Sequence, residues 1–542
     1  MKPNFPPNKR SKLVQFEEVC ISDKLRIVWL GVAIALTVLT FYGSGAAQTT
    51  SCTLGVAYPD DLVYKVDNVI ICTGQLYSDP NLAHYVVYIP SDTNGSLEKW
   101  TTLTKKTLIL WNHGLAPLLP NPYPPDFTEP ISNPPPNRAT YSHLLKNGYA
   151  LAGASYLGGW TVKDAFNDQI KLLDTFPSLA CSTGCTTQPF GSPGRTIASG
   201  GSLGGLIAAG LVQKYPQYFS GALPMCGIMA GGVGLWNTAL DLAFAFKTLL
   251  APDRSLQLVN ISDPLTNFYT AINILNSAQN TAAGRARIAL AAALADVPGW
   301  FDPLSLSEPT DYVTQEASQY LWFSNVDFPL IFAGRADLEY HAGGNPSWNT
   351  GVDYRNQLEV VSADYQEVKA LYEEAGLDLD ADLQTLAAAQ RISADRNAVD
   401  YLRNFISFNG NIQVPVLSLH DIGDGAAVVE NEQAYKQVIT HAGNNGLLRL
   451  VFVNRAGHCT FTPAEQIVAL QALMYRLDTG KWQGVGADDL NSAASALGPA
   501  LNIFSALGPG YPSGVPTAPA FVDFDPAPFL RPFNFDDVYP GN

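Results

Sequence analysis

The chain is poor in positive charge. Of its 542 residues, 32 are Lys or Arg and 48 are Asp or Glu, which gives a formal net charge of −16 at pH 7. An acidic surface repels phosphate backbones and anionic lipid headgroups, so we expect no nucleic-acid partner and no strong docking on an anionic membrane. Long runs of like charge and internal repeats are also lacking, which argues against a charged interaction tail and a repeat architecture.

Long apolar runs are scarce, and the main one lies near the N-terminus, at residues 27–42. Basic residues precede it and the small residues 43–47 follow it, an order typical of a secretory signal peptide, with cleavage expected after Ala47. The alternative is an uncleaved anchor, because the run approaches the length that spans a bilayer. We therefore expect a secreted or periplasmic protein, or one held at the membrane by this segment alone.

Cysteines are few, and one of the seven, Cys20, lies in the expected leader. Six cysteines allow many pairings, and the sequence alone cannot choose among them. Proximity suggests two local bonds and leaves one long-range bond, and disulfides suit a chain that leaves the cytoplasm. The suggested pairs are Cys52–Cys72, Cys181–Cys185 and Cys226–Cys459. No Cys, His and Asp group has metal-ligand spacing, so we expect no metal and no other cofactor.

Hydrophobic residues make up 47% of the chain, enough for a large core, and they alternate between strand-like and helix-like patterns. Apolar strands separated by helices indicate an α/β fold with a mostly parallel sheet covered on both faces. A proline-rich stretch, residues 117–136, is predicted as a surface loop. We predict strands at residues 85–89, 107–111, 149–154, 195–198, 221–225, 414–419 and 448–453, and helices at 162–176, 203–214 and 463–477.

Strand signals are rare from about residue 235 to residue 409, where the pattern is mainly helical. Because the alternation of strands and helices resumes afterwards, an insertion into one sheet explains the chain better than two consecutive domains. The predicted division is a leader at 1–47, a first part of the core at 48–235, a helical cap insertion at 236–409, a second part of the core at 410–480 and a C-terminal extension packed on the body at 481–542.

A candidate nucleophile lies in Gly200-Gly201-Ser202-Leu203-Gly204, which matches the pattern G-x-S-x-G. This pattern forms a sharp turn from a strand to a helix that exposes the serine hydroxyl above the sheet. Such a match is weak by itself, and a glycine-rich turn without chemistry is the alternative. Its setting favours the functional interpretation, because a predicted strand precedes Ser202 and a predicted helix follows it.

A serine nucleophile needs a base and an acid that orients the base. Among seven histidines, His458 is the best candidate because it directly follows the last apolar strand. Asp421 and Asp424 compete for the acid, since both follow the predicted strand at 414–419. We favour Asp424, a few residues past the strand end, and expect Asp421 to cap the turn.

These motifs together resemble the α/β-hydrolase superfamily, above all exported bacterial esterases and prolyl-oligopeptidase-like hydrolases. The resemblance covers about residues 80–235 and 410–480 and implies carboxylic-ester hydrolysis through an acyl-enzyme. It implies an oxyanion hole formed by the N–H of Leu203 and that of Gly114 or Leu115, with His113 bracing the loop. His458-Cys459 is also similar to tannases and feruloyl esterases, but Gly201 stands where those enzymes carry a cysteine.

The insertion should cover the site and contribute aromatic side chains to a substrate pocket. Trp160 and Trp348 are the candidates for contact with a small-molecule or polymeric ester substrate. Two other functions stay open. A peptidase would need carboxylates for the substrate's amine, with Glu316, Asp337 and Glu339 as candidates, and a hydrolase-like binding protein would need no chemistry at all. The oligomeric state is not predicted.

Overall fold

The computed structural model describes residues 51–59, 64–76, 83–115, 136–156, 158–181, 184–185, 188–252, 255–504 and 514–533. The expected leader and residues 117–135 of the predicted surface loop lie outside these ranges. Within them, none of the helices is long and apolar enough to cross a bilayer.

Ten strands form one sheet, in the order β1-β2-β3-β5-β4-β6-β7-β8-β9-β12, and a separate short pair joins β10 to β11. The six strands from β5 to β9 in this order run parallel to one another, whereas β1, β2, β3 and β12 pair antiparallel at the two edges. The strands are β1 Ser51–Ala57, β2 Val66–Gln75, β3 His84–Pro90, β4 Thr107–Asn112, β5 Ala150–Ala154, β6 Arg195–Gly201, β7 Gly221–Met225, β8 Val416–Gly423, β9 Leu448–Ala456, β10 Ile503–Phe504, β11 Val515–Pro516 and β12 Phe521–Val522.

Helices cover both faces of the sheet and form a separate layer between β7 and β8. They are α1 Glu98–Leu103, α2 Pro136–Lys146, α3 Val162–Thr175, α4 Leu203–Lys214, α5 Gly231–Leu250, α6 Pro264–Gln279, α7 Ala282–Ala293, α8 Tyr312–Trp322, α9 Arg335–Ala342, α10 Tyr354–Asn356, α11 Tyr365–Ala375, α12 Leu379–Ala388, α13 Arg396–Asn404, α14 Glu430–His441, α15 Pro463–Thr479 and α16 Ala487–Ala496. Three π-helical turns lie in the same inserted layer, at Phe323–Asp327, Leu330–Gly334 and Gln357–Val361.

The apolar core divides into three large clusters. One lies between the sheet and α3 and α4, and a second lies on the other face, under α2, α15 and α16. The third belongs to the inserted helices, which bury their own side chains from Leu240 to Leu386. The central strands read as continuous apolar runs because both of their faces are covered; all five residues of β5 and of β7 are buried. We call the inserted layer, α5 to α13, the cap.

The C-terminal residues pack on both layers. β12 pairs with β9 at the edge of the sheet, and Asn491 of α16 bonds the backbone of Phe521 in both directions. Further along, Arg531 forms an ion pair with the buried Asp241 of α5, and Phe533 packs edge-on against Trp348. The segment therefore joins the sheet edge to the cap.

The sequence predicted the strands β3 to β9 and the helices α3, α4 and α15, and α4 and β7 have the predicted bounds. The other bounds differ by up to four residues, most at the C-terminal ends of β6, β8 and β9. β8 runs to Gly423 instead of ending at Leu419, because His420 and Asp421, two polar residues, are fully buried and find hydrogen-bond partners in Glu432, Ala427 and Thr460 outside the strand. The cap boundary predicted at 235/236 falls inside α5, which begins at Gly231. Glycine is favoured at two positions of this helix, because a Cβ atom on Gly232 would lie 3.2 Å from Leu402 and one on Gly234 would lie 3.2 Å from Phe529.

Candidate active site

Ser202 occupies the sharp turn between β6 and α4. Its φ of 59° and ψ of −128° lie in a region that non-glycine residues rarely adopt, the geometry of a nucleophile elbow. Its backbone N–H donates to Met225 O at 3.0 Å, which fixes the turn against the neighbouring strand. The helix that starts at Leu203 directs its N-terminal N–H groups toward the serine, where a developing negative charge is favoured.

Two glycines allow this turn to approach the neighbouring strand. A Cβ atom on Gly200 or on Gly204 would overlap the carbonyl oxygen of Asn112, at the end of β4. The G-x-S-x-G pattern is therefore a packing requirement here: the turn fits only without these two side chains.

His458 and Asp424 are hydrogen-bonded to each other. The distance from His458 Nδ1 to Asp424 Oδ2 is 2.7 Å, and the other carboxyl oxygen accepts the N–H groups of Ala426 and Ala427 at 2.9 and 3.0 Å. Asp424 is 1% exposed, whereas the His458 side chain is 27% exposed. Because Nδ1 faces the carboxylate, Nε2 is the nitrogen left for a reacting group.

Asp421 has a different place from the one expected. It does not cap a turn but lies within β8, and its Oδ2 accepts the N–H of Thr460 at 2.9 Å. Burial, and then the charge of Asp424, raise the pKa of Asp421 well above its usual range. Through this hydrogen bond, Asp421 fastens the loop of His458 to the sheet. Arg455 supports the same loop through Thr460 O at 2.7 Å and a two-pronged ion pair with Glu465.

The described cysteines form three disulfides, Cys52–Cys72, Cys181–Cys185 and Cys226–Cys459. The third joins the residue after β7 to the residue after His458. Its sulfurs lie 3.6 and 3.5 Å from the position that a Cβ atom on Gly201 would take. The bond therefore occupies the space beside the nucleophile, although no cysteine precedes Ser202.

A second histidine lies behind Asp424. His420 is fully buried in β8, with Nδ1 2.9 Å from Glu432 Oε1 and Nε2 2.6 Å from Ala427 O. Both ring nitrogens thus face acceptors. Burial alone would lower the pKa of His420, but the bond to Glu432 and the charges of Glu432 and Asp424 raise it to about 9. A buried imidazolium therefore lies 3.7 Å from Asp424 Oδ2, a group that the sequence did not reveal.

The loop after β4 lies against the elbow. A Cβ atom on Gly114 would be 3.8 Å from Ser202 Oγ, and Leu115 lines the same cavity as Ser202. His113 stacks on Tyr156 with ring centroids 3.8 Å apart, and the Tyr156 hydroxyl donates to His113 O at 2.7 Å. Burial lowers the pKa of His113 to about 4, so its ring is neutral and braces the loop.

A cavity of about 380 Å³ opens onto Ser202 and His458, between the sheet and the cap. Its walls are mostly apolar. Trp160 lies in the wall as expected, and so do Leu115 and Leu203. Residues that the sequence did not single out complete it, notably Trp236 of α5, Asp327 of the first π-helical turn and Phe529 of the C-terminal segment.

Trp348 does not line this cavity, contrary to expectation. It belongs to a polar segment under α5. There, the backbone N–H of Trp348 donates to Asn237 Oδ1 at 3.0 Å, and Ser347 Oγ donates to Trp236 O at 3.0 Å. The segment holds α5, which carries the cavity wall. Trp300 and Trp322 are also outside the cavity and pack against Gly423 and Gly425, beside the loop of Asp424.

Carboxylates proposed for an amine-binding site are engaged elsewhere. Glu316 is buried in the cap and accepts from Gln279, and Glu339 pairs with Arg335. Asp337 accepts the backbone N–H of Trp160 at 2.7 Å. Among the described residues, one group has ligand atoms close enough for a metal, Cys226, His458 and Cys459, but its two sulfurs are joined in the disulfide.

The strand order, the elbow at the end of a central parallel strand and the helical cap define a serine hydrolase of the α/β-hydrolase fold. Comparison with known proteins agrees. The o-phthalyl amidase of Xanthobacter agilis is 30% identical over 399 residues, which cover 66% of this chain and 83% of that protein. The chain belongs to the family of this amidase. No protein-family model matches it.

Similar solved structures include three hydrolases. An esterase from Aspergillus oryzae shares 14% identity over 80% of this chain and 86% of that one, with a TM-score of 0.39. The rice cell wall degrading esterase LipA from Xanthomonas oryzae shares 14% over 80% and 98%, with a TM-score of 0.34. The Pyrococcus horikoshii acylaminoacyl peptidase shares 10% over 76% and 42%, with a TM-score of 0.35. Likenesses this distant support no conclusion about activity.

Proposed function

We propose that the protein is an exported serine hydrolase that cleaves carboxylic esters through an acyl-enzyme intermediate. One observation carries the proposal. Ser202, strained at an elbow, and His458, hydrogen-bonded to Asp424 at 2.7 Å, line the same mostly apolar cavity. The chain order of serine, aspartate and histidine is the order of this fold.

In the proposed reaction, Ser202 Oγ attacks the ester carbonyl carbon while His458 Nε2 accepts the hydroxyl proton. The carbonyl oxygen becomes an oxyanion, held by the N–H of Leu203 and that of Gly114 or Leu115. His458 then returns the proton to the departing alcohol. Water repeats the sequence on the acyl-enzyme, which releases the acid and restores Ser202. Asp424 orients His458 and stabilises its charged form.

Amide hydrolysis is the second candidate. The support for it is the family relative, which is named as an amidase. The two bonds use the same machinery. A poorer leaving group makes the amide harder to cleave, so a site that cleaves an amide is expected to cleave the ester of the same acyl group. The substrate is thus expected to be a small or polymeric ester, with the matching amide as the alternative.

Export is part of the proposal. It rests on the order of basic, apolar and small residues before residue 48 and on the three disulfides, which form in oxidising compartments. Mature protein recovered outside the cytoplasm and beginning near Gln48 would support cleavage. An intact N-terminus in the membrane fraction would indicate the anchored form.

A matched substrate set tests the chemistry. We expect the wild type to hydrolyse 4-nitrophenyl benzoate and hexanoate, and Ser202→Ala to lose at least about 10⁴-fold in kcat. The corresponding 4-nitroanilides and an N-phthalyl amide test the second candidate. Activity on the amides alone would overturn the ester assignment. A wild-type protein that neither turns over any substrate nor reacts with a fluorophosphonate would overturn both and favour a binding protein.

A further inference from the structure

Asp327 is a buried residue in the wall of the cavity, and one of its carboxyl oxygens has no hydrogen-bond partner. It ends the π-helical turn Phe323–Asp327 of the cap, is 7% exposed and lines the cavity together with Ser202 and His458. Within the described part of the chain, its buried Oδ2 has no hydrogen-bond partner. Buried polar groups are nearly always hydrogen-bonded, so an open carboxyl group in a cavity wall needs an explanation.

Other buried carboxyl groups of the cap are bonded within the fold. Glu316 accepts from Gln279 at 3.2 Å, Glu367 accepts from Gln319 at 2.9 Å, and Asp382 binds Arg287 and the Tyr372 hydroxyl. Glu316 and Glu367 also have one oxygen without a partner, but only Asp327 of these four lines the cavity. A bound molecule is therefore the available source of a partner.

The surroundings make Asp327 a donor. Burial, and then the charge of Asp424, raise its pKa well above the usual range of a carboxyl group, which favours the protonated form, a hydrogen-bond donor. Among the described residues that line the cavity, none is Lys or Arg, so no such cation opposes this shift. The indole N–H groups of Trp160 and Trp236, two further lining residues, also have no acceptor.

We propose that Asp327 is a specificity residue that donates a hydrogen bond to an oxygen acceptor, a carbonyl or carboxyl oxygen, on the acyl group held in the cavity. This assignment rests on the proposed function, since it needs an acyl group bound at Ser202. A substrate amine is the competing occupant. It would require an ionised Asp327, which the nearby negative charge of Asp424 opposes.

The test compares acyl groups that differ in one substituent. The substrates are 4-nitrophenyl benzoates that carry at the meta or para position a methoxycarbonyl group, a propyl group or an aminomethyl group. Each kcat/KM is divided by the alkaline hydrolysis rate of the same ester, which removes the electronic effect of the substituent. We expect the wild type to prefer the methoxycarbonyl ester over the propyl ester by about tenfold at one position, the size of one well-made hydrogen bond.

Variants assign the preference to one side chain. In Asp327→Leu, which removes the donor at similar size, the ratio of methoxycarbonyl to propyl should fall to about one. In Asp327→Asn, which keeps an N–H donor, part of the preference should remain. Glu316→Gln is the matched control, because it changes a buried cap carboxyl group that does not line the cavity, and its ratio should equal that of the wild type.

Three results would overturn the assignment. The first is a wild type that prefers the aminomethyl ester, and the second is a wild type with equal rates on the methoxycarbonyl and propyl esters. The third is an unchanged ratio of methoxycarbonyl to propyl in Asp327→Leu with equal losses on all esters, which would show that Asp327 acts through Asp424. The wild-type panel decides even if Asp327→Leu does not fold. Failure of the proposed function looks different: there, Ser202→Ala retains activity on every ester.

Discussion

Two buried aspartates near the cavity, one on the sheet side and one on the cap side, have different hydrogen-bond partners and neighbouring charges. Asp424, on the sheet side, accepts three hydrogen bonds, from His458 and from two backbone N–H groups, and has the imidazolium of His420 nearby. Asp327, on the cap side, has no partner for its buried Oδ2, and burial followed by the charge of Asp424 raises its pKa well above the usual range. Both are more than nine-tenths buried.

The difference follows from what the two layers must do. Hydrogen bonds and a neighbouring cation favour the carboxylate form, which a group that orients the base must keep. A neutral acid can donate a hydrogen bond, which a charged one cannot. In the proposed mechanism, the sheet side would therefore hold the charges of the reaction, and the cap side would supply neutral contacts to the substrate.

The largest effect is expected from replacing Asp424, the acid on the sheet side, by a neutral residue. We expect Asp424→Asn to lower kcat by about 10³–10⁴-fold, because an amide favours the wrong tautomer of the base. Single-turnover kinetics with 4-nitrophenyl benzoate would measure the loss. A variant that retains more than a tenth of wild-type kcat would show that Asp424 does not orient His458.

Removing the cation behind Asp424 should have a moderate effect. We expect His420→Gln to lower kcat about tenfold and to move the acidic limb of the kcat/KM profile to higher pH, because loss of a nearby positive charge favours protonation of the base. A purely structural role would lower thermal stability and leave the limb in place. His341→Gln, in the cap, is the control for losing a histidine and should leave the limb unchanged.

The smallest effect concerns the cap interior. Burial raises the pKa of Glu316 to about 7, and burial followed by the charge of Asp364 raises that of Glu367 to about 8. The folded cap then binds protons that the unfolded chain releases near its ordinary pKa. Stability is therefore full below about pH 4.5, declines as pH rises toward the folded pKa values of about 7 and 8, and is constant above them.

Calorimetry from pH 6 to pH 9 would measure this loss. We expect the melting temperature to fall by several degrees, and the Glu367→Gln variant to fall less, since its amide stays neutral. A melting temperature that does not fall over this range would show that these carboxyl groups are already ionised at pH 6.

Local patterns were enough to predict α4, β7 and the elbow, because those elements follow from apolar periodicity and from glycines that the turn needs. The sequence also singled out Asp424 and His458, which the structure brings to 2.7 Å. The end of β8 was missed because polar residues were interpreted as a loop, although Glu432 and Thr460, distant in sequence, provide their partners.

The residues of the cavity wall could not be predicted as fully as those of the elbow. Trp236 and Trp348 are both aromatic residues of the same helical region, and only the packing of α5 decides that the first faces the cavity. Asp327 lies in a π-helical turn, which shifts the facing of side chains relative to an α-helix and so defeats helical periodicity. Phe529 reaches the wall from a segment without regular structure.

The bond between Cys226 and Cys459 has a practical consequence for anyone who makes the protein. It closes a loop of 233 residues between the strand after the nucleophile and the base, so a reducing cytosol would yield chains in which that tether is open. If the tether positions His458, we expect the activity of such a preparation to rise on mild oxidation without a gain in folded mass. Specific activity would then report the redox history of a sample rather than its purity.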